Sequence, residues 1–238
     1  MSGSALHAPA RSLADACGLP LAVYRREHVQ GCVVRMLRRE QLADIPALVA
    51  ALESDAALRA RLRRSIAVAG SGLFRDPNQL RTLDEQVLPS IIYGAKRIRI
   101  WSAGCGAGEE AYTLATMLEW HGALARSEIV GTDILGELLT EAEAGVVGGA
   151  RIPAGLRGRV HWDERDLTAQ GSPGEFDLIL CRDLLTYLTP ASAAAVERTL
   201  HGALAPGGVI VVGRNEKLEQ TDLLGLAPIA ESAYRRLA

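Results

Sequence analysis

Ile98-Arg99-Ile100-Trp101-Ser102-Ala103-Gly104-Cys105-Gly106-Ala107-Gly108-Glu109-Glu110-Ala111-Tyr112 is the stretch on which the fold turns. Ile98 to Trp101 is β-branched and aromatic, the composition of a strand. It runs into glycines at every second position, and the segment from Glu109 to Trp120 then has helical character. A strand, a Gly-x-Gly-x-Gly turn and a helix in that order make the opening unit of a sheet whose first loop lets a ligand approach the backbone.

The pattern repeats downstream. Glu128 to Thr132 reads as a second strand ending in Asp133, followed by a helix over residues 135–144. Residues 160–162 give a weak third strand, residues 176–181 a strong fourth, and residues 209–212 a fifth. Thr189-Pro190 opens the intervening helix with a capping residue and a proline at the first position, and Ala205-Pro206-Gly207-Gly208 ends it. Strands alternating with helices of this length predict a doubly wound α/β domain with a parallel sheet. Upstream the pattern is helical, with segments at residues 21–39, 45–52, 58–68 and 80–92. The expected organisation is a flexible N-terminus over residues 1–12, a helical domain and linker over 13–92, and the ligand-binding α/β domain over 93–238.

Composition excludes several classes. The chain has 238 residues and a hydrophobic fraction of 48%, enough for a core that Leu, Val, Ile and Ala must fill because aromatics are only 4%. A net charge of −2 without long single-sign runs gives no electrostatic footprint for nucleic acid. No apolar run approaches the roughly 18 residues that span a bilayer, and no signal peptide is evident. Cys17, Cys32, Cys105 and Cys181 are dispersed, which argues for reduced thiols in the cytoplasm and against a zinc site. Cys105 and Cys181 read as buried small hydrophobes.

The glycine loop of Gly104, Gly106 and Gly108, with Asp133 ending the second strand, suits an adenosine-containing ligand whose ribose diol donates to the carboxylate. Several cofactors meet that description. Glu109 and Glu110 separate them: a dinucleotide sets its pyrophosphate at the helix N-terminus, where two carboxylates would repel it. The ammonium and sulfonium of S-adenosylmethionine favour negative charge there. Both glutamates also complement the helix dipole.

The chain resembles the chemotaxis-receptor methyltransferases (protein-glutamate methyltransferases of the CheR type) from about Leu19 to Tyr234. The resemblance is carried by Trp101 to Tyr112, by Thr132-Asp133-Ile134, by Cys181-Arg182-Asp183-Leu184-Leu185-Thr186-Tyr187-Leu188, by Ser71-Gly72-Leu73-Phe74-Arg75-Asp76, and by Tyr234-Arg235-Arg236. It implies a Rossmann-like class I methyltransferase domain behind a small all-helical one, and transfer of a methyl group from S-adenosylmethionine to a carboxylate, leaving S-adenosylhomocysteine. It further implies that Ser71 and Arg75 reach the cofactor, that Glu109 holds its amino group and Asp133, with Ile134 beside it, the ribose. Asp166-Leu167 and Asp183-Leu184 would frame the adenine and the open mouth of the site. By their chemistry, Arg75 could steer or neutralise an acidic acceptor and Tyr187 could orient it by a hydrogen bond; the alternatives are a surface ion pair for Arg75 and a core position under the last helix for Tyr187.

This sequence departs from the family pattern at Ala69, Leu73, Asp166 and Asp183, the last two standing where asparagines are usual. The connection between Gly145 and Asp166 is short and leaves little room for the family's three-stranded receptor-docking subdomain. The acceptor is therefore expected to be a small molecule, peptide or flexible protein segment that reaches the pocket directly; a biosynthetic methyltransferase and a non-catalytic cofactor-binding module are the alternatives. Arg35, Arg38 and Arg39 share a helix face, and a run at Arg59, Arg61, Arg63 and Arg64 follows; either could meet an acidic partner or simply be solvated.

Overall fold

The computed structural model describes residues 7–68 and 72–237. The chain divides into two compact units, one of Met1–Ala69 with Tyr187–Thr189, the other of Gly70–Thr186 with Pro190–Ala238.

The first unit holds helices α1 (His7–Cys17), α2 (Arg26–Arg39), α3 (Ile45–Ser54) and α4 (Ala56–Ile66). Asp44 starts α3 by accepting the Ala47 N–H at 2.9 Å, and Asp55 starts α4 by accepting the N–H groups of Ala57 and Leu58. Leu48 and Leu52 on α3, and Leu58, Leu62 and Ile66 on α4, recur four apart and are buried. Two arginines of the basic run have structural duties. Arg63 donates to the Cys17 and Gly18 carbonyls at 3.0 Å each, and Arg59 to that of Leu52 at 3.2 Å, so both satisfy helix C-termini.

Two expectations are corrected here. The flexible segment was set at residues 1–12, yet α1 begins at His7; residues 1–6 lie outside the described residues. The helix expected from residue 21 begins at Arg26. Tyr24 is extended and bridges Leu188, while the Arg25 N–H donates to the Tyr187 carbonyl at 2.8 Å, so this stretch is used for pairing instead of helix.

The second unit opens with α5 (Pro77–Thr82), which passes through a wider turn at Leu83–Val87 into α6 (Leu88–Ile92). Its strands are β1 (Ile98–Ala103), β2 (Ser127–Asp133), β3 (Val146–Val147), β4 (Ala150–Arg151), β5 (Val160–Glu164), β6 (Phe176–Cys181), β7 (Leu204–Val212), β8 (Leu226–Ala230) and β9 (Ala233–Arg236). Between them lie α7 (Glu109–Trp120), α8 (Gly136–Ala144), α9 (Ala154–Arg157), α10 (Pro190–Gly202) and α11 (Thr221–Leu224). Seven strands form one sheet in the order β5-β2-β1-β6-β7-β9-β8, parallel except where β9 pairs with β7 and β8. Strand order reverses between β1 and β6, so their C-terminal ends flank the crevice where ligands bind in such sheets. β1 is buried at every position but Arg99, as expected of a parallel strand enclosed on both faces.

The boundary expected at residues 92/93 moves to residue 70. Leu80, Leu83, Val87 and Leu88 are buried in the same core as Ile98, Ile100, Leu114 and Val209, so α5 and α6 belong to the α/β unit. The closing pair β8–β9 was not legible: β8 is an edge strand that tolerates Pro228, and neither strand alternates apolar and polar residues. Residues 145–166 contain only the β3–β4 hairpin of two-residue strands, the single turn α9, and the sheet strand β5. Among the described residues no helix is long and apolar enough to cross a membrane.

Candidate active site

The glycine loop joins β1 to α7. Gly104, Gly106 and Gly108 all have positive φ, of 76°, 58° and 91°. Gly108 is the position where nothing else fits: a Cβ there would lie 2.8 Å from the Trp162 ring and 2.9 Å from Ala142. The Gly104 and Cys105 N–H groups donate to the Thr132 carbonyl at 2.8 and 2.9 Å, fastening the loop to the end of β2.

Asp133 completes that end. It is buried, its Oδ2 accepts the Gly106 N–H and its Oδ1 the Leu135 N–H, both at 2.9 Å. Burial raises its carboxyl above the usual range, against the lowering pull of those amides. Each carboxylate oxygen retains a further lone pair, so Asp133 can hold the loop and still accept from a ribose hydroxyl.

Glu109, the first residue of α7, is buried, and its Oε2 would lie 3.4 Å from a Cβ on Gly106. Leu184, half-buried after β6, would lie 3.5 Å from a Cβ on Gly104. The space over the loop is thus bounded by an apolar side chain on one side and a carboxylate on the other. That donor set fits an adenosyl cofactor bearing an ammonium and a sulfonium, and suits a pyrophosphate poorly.

Glu110 has a different task from the one its position suggested. Its Oε1 accepts from Ser102 Oγ at 2.7 Å and its Oε2 lies 3.5 Å from Arg182 Nη1. Burial raises its carboxyl, with Arg182 opposing. Arg182 also pairs with Asp76 at 2.9 Å and donates to Gln79 Oε1 at 2.7 Å and to the Arg75 carbonyl at 3.3 Å. Gln79 in turn donates to the Val212 carbonyl at 2.7 Å. One arginine therefore ties the segment before α5 to the C-terminal end of the sheet.

That segment and the turn after β6 are strained. Phe74, Asp76 and Asp183 are three of the six non-glycine residues with positive φ among those described. The Phe74 N–H is held by Thr113 Oγ1 at 3.1 Å. Glu216, buried after β7, accepts the N–H groups of Asp183 and Gly213 at 2.8 Å and of Thr186 at 3.0 Å. Arg75, half exposed, sits 3.3 Å from Asp183 Oδ2 and 3.6 Å from Asp76 Oδ2.

Of the residues expected at the site, the loop glycines, Glu109, Asp133 and Ile134 cluster at the ends of β1 and β2, and Arg75 meets Asp183 beside Leu184. Asp166 caps its own turn, accepting from Thr168 N–H at 2.8 Å and from Thr168 Oγ1 at 2.6 Å, and Leu167 is buried. Tyr187 is grouped with the first unit, its ring 4.7 Å from that of His28. Ser71 lies outside the described residues. Arg182 and Glu216 were missed; Arg182 lies inside the quoted Cys-Arg-Asp segment, whereas nothing local marks Glu216. Cys105 and Cys181 are buried, which pushes both thiols well above their ordinary value and leaves them unreactive.

The family model described as "CheR methyltransferase, SAM binding domain" matches residues 70–156 and 147–231. Chemotaxis protein methyltransferase 1 of Pseudomonas aeruginosa is 27% identical, with 87% of each chain covered. A chemotaxis protein methyltransferase of Listeria monocytogenes is 26% identical over 91% of each. The chemotaxis protein methyltransferase Cher2 of Pseudomonas putida is 25% identical over 87% of each. With its glycine loop, acidic strand end and sheet order, the chain belongs to the CheR methyltransferase family and is an S-adenosylmethionine-dependent methyltransferase.

Proposed function

We propose that the protein methylates a carboxylate, a glutamate-type side chain on a protein or peptide segment that reaches the site without a tethered docking domain. The observation that carries this reading is the placement of Arg75, half exposed, beside Asp183, whose neighbour Leu184 overhangs the glycine loop. A cation at the mouth of the cofactor crevice suits an anionic acceptor. Relatives named chemotaxis protein methyltransferases are consistent with a protein acceptor, and the brevity of residues 145–166 supports direct access.

When bound, S-adenosylmethionine supplies an electrophilic methyl group. Glu109 and Asp133 would hold its ammonium and ribose, with Leu184 over the loop. A carboxylate is ionised at neutral pH, its reference pKa being about 4.3, so the site needs no strong base. The protein's contribution is positioning: Arg75 would orient the acceptor carboxylate toward the methyl group. Four free thiols fit a reducing compartment, and we place the protein in the cytoplasm.

The test is titration with S-adenosylmethionine, S-adenosylhomocysteine and NAD, followed by methyl incorporation into glutamate-bearing peptides. Binding of the first two and not the third is expected, with label released as methanol in mild alkali, as from an ester. Alkali-stable label on an amine would refute the carboxylate assignment.

A further inference from the structure

The inference rests on the carboxylate reading above and concerns which carboxylate. Both arginines near the crevice are already paired. Arg182, with its side chain 8% exposed, is consumed by Asp76, Gln79 and Glu110. Arg75 remains 46% exposed, but its Nη1 faces Asp183 Oδ2 at 3.3 Å. An acceptor carboxylate that takes Arg75 must share the guanidinium with Asp183 or displace it from Nη1.

Asp183 has little freedom to leave. Its N–H is held by Glu216 at 2.8 Å, its φ is 59°, and Gly213 packs so closely that a Cβ there would come within 2.7 Å of Asp183 Oδ1. The Asp183 carboxylate therefore stays beside the incoming one, and two like charges at that separation disfavour each other. An acceptor carrying only negative charge leaves two carboxylates to one guanidinium. An acceptor with a cation next to its carboxylate exchanges one ion pair for two.

We propose that Asp183 is a specificity-determining residue that selects a glutamate with a lysine or arginine one helical turn away, the carboxylate meeting Arg75 and the cation meeting Asp183. Such a pair sits on one helix face at a spacing of four residues.

The test uses three helical peptides with one acceptor glutamate and Lys, Gln or Glu four positions later. Affinity for protein saturated with S-adenosylhomocysteine is read by fluorescence anisotropy, beside methyl incorporation with S-adenosylmethionine. For the wild type the Lys peptide should bind about tenfold tighter than the Gln peptide, with the Glu peptide weakest. In Asp183→Asn, whose new side chain tolerates the left-handed backbone, the Lys-to-Gln ratio should fall to about twofold or less, and the Gln peptide should bind tighter than to the wild type. Asp183→Gly, which keeps the backbone and removes the charge, should behave alike. A thermal melting curve of each variant reports an intact fold. Equal affinities in the wild type, or an unchanged ranking in both variants, overturn the role of Asp183 and leave the carboxylate reading standing. Failure of every peptide to bind or be methylated by cofactor-loaded wild type overturns that reading as well.

Discussion

The Glu216 carboxylate accepts the main-chain N–H of Asp183 at 2.8 Å, joining the residue after β7 to the turn after β6. The same carboxylate accepts from Thr186 and Gly213, so one buried side chain satisfies amides that would otherwise lack partners. It fixes the turn that presents Asp183 to Arg75 and Leu184 to the glycine loop. Glu216→Ala should lower stability by about 2–4 kcal/mol, the scale for orphaning buried polar groups. Calorimetric unfolding would show this as a melting temperature lower by roughly 5–15 °C. An unchanged melting temperature would mean that water replaces the carboxylate.

Asp133 holds the loop and, in our assignment, the ribose. Asp133→Ala should weaken S-adenosylhomocysteine binding by about 1–3 kcal/mol. Titration calorimetry measures it directly. Affinity equal to that of the wild type would remove Asp133 from the cofactor site.

The same residue sets a pH dependence. Burial raises the Asp133 carboxyl, so it takes up a proton at a higher pH than an exposed aspartate. In its ionised form it accepts the Gly106 and Leu135 amides; the protonated form loses acceptor capacity. Cofactor affinity should therefore decline as pH falls from neutrality, with a midpoint above the ordinary aspartate value of about 3.8–3.9. The stability effect has the opposite sign. A carboxyl raised by folding binds more protons in the native state, so its contribution to stability falls as pH rises from its unfolded to its folded pKa. In Asp133→Asn the acid limb of the binding curve should flatten; an identical limb would assign it to another group.

Arg75 is half exposed and is assigned to the acceptor. Arg75→Ala should reduce methyl transfer by about 100-fold or more, while cofactor affinity changes by less than about fivefold. Parallel losses in both would place Arg75 against the cofactor instead.

Much of this protein was readable along the chain because the signals were local. A β-branched run stopped by alternating glycines, then a helix starting at Glu109, needs only neighbouring residues to be interpreted, and the structure has β1 at Ile98–Ala103 and α7 at Glu109–Trp120. Asp133 was legible for the same reason: it ends a strand buried at every position but Glu128. The short reach between Gly145 and Asp166 likewise limited what could fit there by length alone.

The rest depends on residues far apart in sequence. Glu110 beside Glu109 looks like a second ligand for a cationic cofactor; only the fold brings Arg182, 72 residues away, against it and converts it into an internal anchor. Arg75 reads as a free cation until β6 carries Asp183 to within 3.3 Å. Glu216 has no local motif, because its partners are main-chain amides that any residue type would present. Helix and strand starts are set by short-range sterics and hydrogen bonding, which the sequence encodes residue by residue. The pairing of charges at the mouth of the site is set by which strand ends the sheet order makes adjacent, and that was decided by the tertiary structure alone.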